Sequence, residues 1–172
     1  MEIYLVRHTT PNIEKGICYG QSDLGITDTF DSEVIKIHKE IPIHKISKIY
    51  SSPLQRCKIL ADTFNIPTIF DDRLKELNFG DWELKAWNDI HPSELNPWME
   101  DFVNVQVPNG ESYIMLQKRM LAFYNDIAHT AEGSIIIVAH AGPIRALLAH
   151  LQQIELKNSF DIKINYGDVI KI

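Results

Sequence analysis

Two arginines and two histidines, in three distant stretches of the sequence, could together bind a phosphate group and attack it. Arg7 and His8 follow the apolar residues 3–6, Arg56 follows "YSSPLQ", and His140 ends "SIIIVAH". Guanidinium groups match phosphate geometry through paired hydrogen bonds. A neutral imidazole is a nucleophile when a neighbouring acceptor fixes its tautomer, and a second imidazole can donate to a phosphoryl oxygen. The combination therefore predicts phosphoryl-transfer chemistry.

Each of these residues alone has a simpler explanation. A single arginine at a strand end is usually a surface charge and a single histidine is usually structural, so the hypothesis depends on all of them reaching one place. The reaction also needs a general acid to protonate the leaving oxygen. Glu76, in "DDRLKELNFGDWE", is the candidate. Burial would raise the pKa of its carboxyl group, and nearby cations would lower it.

The elements that must position these residues alternate between strands and helices. Hydrophobic periodicity predicts strands at residues 3–6, 45–52, 68–74 and 134–140, and helices at residues 27–41, 52–64, 111–133 and 142–153. This alternation is typical of a three-layer α/β/α sandwich around a largely parallel sheet. Ligands of such sheets bind at the carboxyl ends of the strands, where the arginines and histidines would meet.

Helix starts and the end of the chain can be predicted in more detail. Thr27 or Asp28 is expected to cap the first helix. Ser52 is expected to cap the second helix, with Pro53 at its first position. Residues 160–172 predict a final pair of strands around "NYGD".

Composition narrows the possible partners. The chain has 172 residues, a size typical of one domain, and a formal net charge of −6, which argues against nucleic acid or an anionic membrane as its main partner. It shows neither a secretory signal nor an apolar stretch long enough to span a membrane. The two cysteines, Cys18 and Cys57, have neither disulfide nor zinc spacing, and no metal-binding histidine pattern occurs. We therefore expect a cytoplasmic protein with a small-molecule substrate and no metal site.

Residues 79–110 stand apart from the alternating pattern. They have weak periodicity and contain all three tryptophans of the chain. We expect a lid-like excursion from a single domain that spans residues 1–172. The tryptophans could stack on a flat leaving group, with Tyr19 on the opposite wall. Alternatively, Trp82 and Trp98 could bury a second small hydrophobic cluster.

Four stretches of the chain resemble the signature sequences of the histidine phosphatase superfamily, which has the phosphoglycerate-mutase-like fold. They are "LVRHTTP", "YSSPLQRC", "LKELNFGDWE" and "IIIVAHAGPIRALL", and they occur in the family's order across nearly the whole chain. The resemblance implies that His8 is the phosphorylated nucleophile and Glu76 the proton donor. It also implies a phosphate pocket made by Arg7, Arg56 and His140, and a reaction that needs no metal or organic cofactor.

Within this superfamily, "RHTTP", "GICYGQSDL" and "FGDWE" are similar to the alpha-ribazole phosphatases, which remove a phosphate during assembly of the cobalamin nucleotide loop. Two departures concern the phosphate site. Thr9 stands where the commonest family form has glycine, and the interval from His8 to Gly20 is slightly shorter than usual. The family's additional phosphate-binding asparagine is therefore unassigned, with Asn12 the nearest candidate and Ser22 the second.

These observations support three hypotheses. The first is a phosphomonoesterase that forms a phosphohistidine and acts on alpha-ribazole 5'-phosphate or on another small metabolite, such as a phosphosugar or phosphoglycerate. The second is a phosphoglycerate-type mutase, which the short chain disfavours because such mutases generally carry additional segments around a bisphosphate. The third is a non-catalytic phosphate-binding module, which would need neither His8 nor Glu76. We favour hydrolysis.

Overall fold

One mixed sheet forms the centre of the fold. The computed structural model describes residues 2–128 and 133–172. Within these residues, the strands are β1 (Ile3–Arg7), β2 (Ile46–Ser51), β3 (Thr68–Phe70), β4 (Ser134–Ala139) and β5 (Val169–Lys171). Their order across the sheet is β3-β2-β4-β1-β5, in which β1 to β4 run parallel and β5 pairs antiparallel with β1. The largely parallel sheet predicted from the sequence is confirmed.

Helices cover both faces of this sheet. They are α1 (Phe30–Glu40), α2 (Gln55–Asp62), α3 (Pro92–Glu100), α4 (Tyr113–Ala128) and α5 (Ala141–Leu151). Side chains alternate along β1, so Ile3 and Leu5 pack with α4 and α5, whereas Tyr4 and Val6 pack with α1 and α2. Because both faces are buried, the predicted three-layer α/β/α sandwich is confirmed. In the described part of the chain, no helix has the length and apolar character needed to cross a bilayer.

The second helix begins later than the sequence predicts. α2 starts at Gln55, with the extended Leu54 as its N-cap, and not at Pro53 after a Ser52 cap. The hydroxyl of Ser52 lies 2.8 Å from Nε2 of His140 and accepts only a longer hydrogen bond, of 3.3 Å, from the Leu54 amide. Ser52 therefore hydrogen-bonds with His140 at the edge of the sheet and is not the N-cap of α2.

Two further predictions concern helix ends. The N-cap of α1 is Thr29, not Thr27 or Asp28, and the hydroxyl groups of Thr27 and Thr29 lie 2.7 Å apart. The predicted last turn of α4 falls on residues 129–132, which lie outside the described residues.

Of the predicted final pair of strands, the second is confirmed as β5, whereas the first strand and the pairing are wrong. The segment Leu156–Asp161 forms a 3-10 helix, and β5 pairs with β1 instead of with a hairpin partner. Between them, the carbonyl of Ile162 accepts a hydrogen bond from Arg145 (3.2 Å), and that of Ile164 accepts one from Arg7 (2.8 Å). These carbonyls bond to guanidinium groups, so they do not take part in a strand ladder.

The two ends of the excursion, residues 79–110, meet beside each other. The Glu111 amide donates to the Asn78 carbonyl (2.8 Å), which closes the excursion at its base. Gly110 lies at this junction, where a Cβ atom would overlap the Asn78 carbonyl oxygen. Gly80 is equally confined by the returning backbone. The junction therefore requires glycine on both sides.

A small hydrophobic cluster fills the excursion, as one of the two alternatives predicted. Trp82 is fully buried in it beside Cys18, and its indole nitrogen donates to Glu94 (3.0 Å). Trp87 and Trp98 pack against this cluster, with their rings stacked and their centroids 5.9 Å apart. The excursion thus has a packed interior, to which Cys18 from outside residues 79–110 also contributes.

Replacement of Gly110 by alanine is expected to loosen the excursion while the sheet stays folded. The new methyl group has no room beside the Asn78 carbonyl, so the junction has to separate, at a cost of about 1–3 kcal/mol. Because all three tryptophans lie in this segment, their fluorescence reports on it alone. Emission should shift to longer wavelength and acrylamide quenching should increase, with unchanged far-UV circular dichroism.

Gly25→Ala is the matched control, because a Cβ atom on Gly25 meets nothing within 4 Å. Wild-type emission and quenching in the Gly110→Ala variant would contradict the importance of this junction.

Candidate active site

Three parallel strands direct the residues that follow them to one edge of the sheet. His8 follows β1, Ser52 follows β2 and His140 follows β4. The backbone ladder continues there, because His8 N donates to the Ala139 carbonyl (3.1 Å) and Ser52 N donates to the Val138 carbonyl (2.9 Å). The histidines therefore meet at the carboxyl edge, where ligands bind to sheets of this kind.

The two imidazoles face each other in a buried position. Their ring centroids lie 5.0 Å apart, and His8 and His140 are 2% and 0% exposed. Nδ1 of His8 lies 2.7 Å from the carbonyl oxygen of Thr9, itself a fully buried residue. Because a carbonyl oxygen can only accept, Nδ1 carries the proton and Nε2 keeps a lone pair. The backbone carbonyl of Thr9 thus supplies the acceptor that fixes the tautomer of His8.

Both imidazoles are uncharged at neutral pH. Burial and the charge of Arg56 hold the pKa of His8 well below its usual value, and the hydrogen bond to the Thr9 carbonyl opposes this only in part. Burial and Arg56 also hold the pKa of His140 well below its usual value. Cys57, whose Sγ lies 3.4 Å from Nε2 of His140, stays a thiol because burial raises its pKa to about 12. Nε2 of His8 is therefore unprotonated and can act as a nucleophile once it gives up the long hydrogen bond that it accepts from Arg56 Nε (3.4 Å).

The guanidinium of Arg56 is completely buried beside His8. Its Nη1 and Nη2 donate to the carbonyls of Ser22 (2.9 Å) and Gly20 (2.6 Å), and its Nε lies 3.4 Å from Nε2 of His8. In the described ranges, 2–128 and 133–172, no carboxylate forms an ion pair with Arg56. Because a buried charge without a counter-charge is costly, this arrangement suits an anionic ligand.

Glu83 holds the loop that supports Arg56. Its carboxylate accepts hydrogen bonds from the amides of Gly20 (3.0 Å), Gln21 (2.8 Å) and Ser22 (3.2 Å). Burial raises the pKa of Glu83, but hydrogen bonds from the Ser22 hydroxyl and from the amides of Gln21, Gly20 and Phe79 outweigh burial and lower it overall. An ionised carboxylate thus fixes the loop whose carbonyls orient Arg56.

Arg7 reaches the same edge and stacks on Tyr166. Its Nη1 donates to the Ile164 carbonyl (2.8 Å), and its Cζ lies 3.8 Å from the centroid of the Tyr166 ring. Its Nε is buried and has no hydrogen-bond partner among the described residues. The Tyr166 ring lies 5.6 Å from that of His8, and its hydroxyl lies 2.6 Å from the hydroxyl of Tyr19. Arg7 therefore keeps a donor available near the imidazole pair.

Glu76 approaches this edge from the irregular segment after β3. Its Oε2 accepts a hydrogen bond from the Gly142 amide (3.1 Å), and its Oε1 accepts one from the Leu77 amide (2.9 Å). Gly142 belongs to the first turn of α5, immediately after the strand edge that carries His140. The carboxyl group of Glu76 is thus held at the first turn of α5 by the amide of Gly142, two residues after His140.

The two candidates for an additional phosphate contact occupy different positions. The Ser22 hydroxyl donates to Glu83 (2.5 Å), so Ser22 supports Arg56 through its carbonyl only. Asn12 is exposed, and its backbone amide donates to the Gly25 carbonyl (2.9 Å). Neither side chain contacts the imidazole pair within the residues described.

An apolar pocket of about 220 Å³ opens beside Glu76. Gly142 and Arg145 of α5 form the wall next to the carboxyl group, and the guanidinium of Arg145 lies 4.6 Å from the centroid of the Phe160 ring. Most of the remaining wall is aromatic and consists of Phe79, Trp87, Trp98, Phe102, Tyr113 and Phe160. The pocket can therefore hold a flat apolar group beside the carboxyl group of Glu76. No group of three or more histidine, cysteine or acidic side chains in the described part of the chain is placed to hold a metal ion.

A sequence profile of the Histidine phosphatase superfamily (branch 1) matches residues 3–172. The chain belongs to this superfamily. The family predicted from the four signature stretches is confirmed, and so is the phosphoglycerate-mutase-like fold, which solved structures share with this chain.

Relatives in the histidine phosphatase superfamily carry names of different activities. A Hydrogenobacter thermophilus protein named "Putative phosphoserine phosphatase 2" is 29% identical over 99% of this chain and 88% of its own length. A Yersinia pestis protein named "Probable phosphoglycerate mutase GpmB" is 32% identical over 88% of this chain and 74% of its own length. The alpha-ribazole phosphatase from Shigella flexneri shares the fold with a TM-score of 0.91, at 20% identity over 99% of this chain and 89% of that one.

Sequence reasoning missed several residues that build this superfamily site. Glu83 lies in the quoted "FGDWE" and Arg145 in "HAGPIRALL", so the motifs contained them without indicating their contacts. Tyr166 lies in the "NYGD" turn, where nothing local signals that it stacks on Arg7. Ser52 was expected to cap a helix.

Gly142→Ala is expected to displace the Glu76 carboxylate while the fold stays intact. A Cβ atom on residue 142 would overlap Oε1 of Glu76, the end of a flexible side chain that can rotate away. Alanine is favoured over glycine in a helix by about 1 kcal/mol, so the melting temperature should hold or rise. Turnover of an alkyl phosphate should fall about 10-fold or more, because the carboxyl group leaves its position.

Thermal melts and steady-state kinetics, with Gly25→Ala as the control, check this prediction. Wild-type turnover by the Gly142→Ala protein would show that the position of this carboxylate is unimportant.

Proposed function

We propose that this protein is a phosphomonoesterase that works through a phosphohistidine intermediate. The observation that carries the proposal is the buried guanidinium of Arg56, which faces the unprotonated Nε2 of His8 and has no carboxylate partner in the described ranges. An anion in this position would compensate the buried charge. A phosphate ester would also present its phosphorus atom to the nucleophile.

In the first step, Nε2 of His8 attacks phosphorus and the bond between phosphorus and the alcohol oxygen breaks. The phosphate pocket, formed by Arg7, Arg56 and His140, donates hydrogen bonds to the phosphoryl oxygens and stabilises their charge. Glu76 gives its proton to the leaving oxygen, so the alcohol departs neutral.

In the second step, the ionised Glu76 removes a proton from a water molecule as the water oxygen attacks phosphorus. The bond between phosphorus and Nε2 of His8 breaks, and inorganic phosphate leaves. Glu76 is protonated again and His8 is neutral, so both residues are ready for the next substrate.

We propose that the leaving alcohol is a nucleoside with a flat apolar base. The specific substrate that we propose is alpha-ribazole 5'-phosphate, in cobalamin nucleotide-loop assembly. The aromatic pocket beside Glu76 supports this choice because it would bury a benzimidazole-type base. The same pocket disfavours a mutase, since a bisphosphate intermediate brings charge into an apolar space.

A lid function for residues 79–110, within a single domain of residues 1–172, forms part of this proposal. Trp87 and Trp98 belong both to the cluster of the excursion and to the pocket wall, so movement of the excursion would open the pocket. We also propose a cytoplasmic location, which the free, buried Cys18 and Cys57 support.

A phosphate ester of a small acid, such as phosphoserine or phosphoglycerate, is the second candidate substrate. Arg145 on the pocket wall favours it, because a guanidinium can pair with the carboxylate of such a leaving group. The relative from Hydrogenobacter thermophilus bears the name of a phosphoserine phosphatase.

His8→Ala should abolish hydrolysis of p-nitrophenyl phosphate, by about 1000-fold or more, because the variant lacks the imidazole that attacks phosphorus in the proposed mechanism. The wild-type protein should give an acid-labile phosphoprotein when it is quenched during turnover, and the variant should give none. His150→Asn, at an exposed position of α5, is the control and should remain active. Turnover near the wild-type value in His8→Ala would refute the mechanism.

A panel of substrates separates the two candidates. The ratio kcat/KM for alpha-ribazole 5'-phosphate should exceed that for phosphoserine and 3-phosphoglycerate by about 10-fold or more, because burial of an aromatic base contributes about 1.5–3 kcal/mol. A phosphosugar should be a poor substrate for the same reason. Preference for phosphoserine or 3-phosphoglycerate would instead support the second candidate.

A further inference from the structure

We propose that Arg119 is a positioning residue for Glu76, which it serves by holding the backbone of the segment that carries Glu76. The inference rests on the proposed role of Glu76 as proton donor. Arg119 lies on α4, and its guanidinium contacts this segment through carbonyl groups rather than through the Glu76 carboxylate.

The guanidinium of Arg119 is fully hydrogen-bonded. Nη1 donates to the carbonyls of Arg73 (2.7 Å) and Lys75 (2.6 Å), and Nη2 donates to the carbonyl of Glu76 (2.9 Å). Nε and Nη2 also donate to the two carboxylate oxygens of Glu111, at 2.8 and 3.0 Å. Only a guanidinium offers five donors in one plane, so lysine cannot reproduce this set of contacts.

Glu111 extends the contacts to the other side of Glu76. Its Oε2 accepts a hydrogen bond from the Asn78 amide (2.9 Å), and its own amide donates to the Asn78 carbonyl (2.8 Å). The side chains of Arg119 and Glu111 are only 17% and 16% exposed, so water screens the pair weakly. Residues 75–79 belong to neither a helix nor a strand. Their placement therefore depends on side-chain contacts such as these rather than on a backbone ladder.

Catalysis by Glu76 depends on the placement of this segment. Its carboxyl group has to meet the Gly142 amide, 3.1 Å away, and the leaving oxygen of the substrate. A shift of about 1 Å in a catalytic group can cost about 100-fold in rate. Loss of the contacts from Arg119 should therefore impair the step that needs a proton, and binding of the phosphate group should change little.

The test compares two substrates in the Arg119→Lys variant. For an alkyl phosphate, whose leaving group needs a proton, kcat/KM should fall about 10–100-fold. For p-nitrophenyl phosphate, whose phenolate departs with little protonation, kcat/KM should fall less than about 3-fold. The ratio kcat/KM is compared because it reports the step that releases the alcohol, whereas kcat also contains hydrolysis of the phosphohistidine, in which Glu76 acts on both substrates alike. Equal losses of kcat/KM on the two substrates would overturn the inference.

A double-mutant cycle with Glu76→Gln identifies the residue through which Arg119 acts. Once Glu76 is replaced, Arg119→Lys should have little further effect on the alkyl phosphate, whereas independent action would give additive losses and overturn the inference. If Glu76→Gln lowers kcat/KM equally for both substrates, the proposed proton donor is wrong and the inference falls with it. If Glu76→Gln impairs the alkyl phosphate selectively and Arg119→Lys does not, only the positioning role of Arg119 is refuted.

Arg73→Lys is the matched control. Arg73 lies on the same segment and pairs with Asp71 (2.7 Å) and Asp126 (2.6 Å), and it contacts Arg119 through its carbonyl only. Its replacement should leave the preference between the two substrates unchanged. If Arg119→Lys does not fold, as judged by circular dichroism, Glu111→Gln replaces it with the same expected selectivity, and an equal loss on both substrates again refutes the inference.

Discussion

The site depends on one physical constraint, the burial of the Arg56 guanidinium next to an unprotonated imidazole. Removal of a cation from water costs several kcal/mol unless other groups replace the lost hydration. Two carbonyls of the loop at residues 20–22 do so in part, and Glu83 fixes that loop through its amides. The remaining need for negative charge is what makes the position suited to a phosphate group. Burial, together with the same positive charge, holds the pKa of His8 low and so keeps its imidazole neutral.

Backbone groups orient every charged or nucleophilic side chain at the strand edge. The Thr9 carbonyl fixes the tautomer of His8, the Ile164 carbonyl holds Arg7, and the Gly142 amide holds Glu76. Backbone atoms move less than side chains, so the groups are oriented before a ligand arrives. Such preorganisation is the main source of electrostatic catalysis, because no reorganisation is needed when charge develops in the transition state.

Two environments with different chemistry meet at Glu76. On one side lie the imidazoles and guanidinium groups of the strand edge, which suit a phosphate. On the other side lies the aromatic pocket, to which the excursion contributes Trp87 and Trp98. In the proposed reaction, the bond that breaks lies between these environments, so the proton donor stands where the phosphate ends and the alcohol begins. The polar edge would thus govern the chemistry and the pocket the choice of substrate.

The sequence by itself determined the layers of the fold, the parallel sheet and the residues that its strand ends carry. These properties follow from hydrophobic periodicity and from the order of the elements, which can be read along the chain. For example, the apolar "SIIIVAH" predicts a buried strand and the following "GPIRALL" predicts a helix. Only the tertiary structure decided which contacts support those residues. Ser52 hydrogen-bonds with His140 instead of capping a helix, and Tyr166 stacks on Arg7. Glu83 accepts hydrogen bonds from the loop that orients Arg56, and Arg119 donates to the carbonyl of Glu76. The tertiary structure also decided that β5 pairs with β1, at the other end of the chain. Each of these contacts joins residues far apart in the chain, and a polar side chain leaves no periodic signal of the partner that it will find.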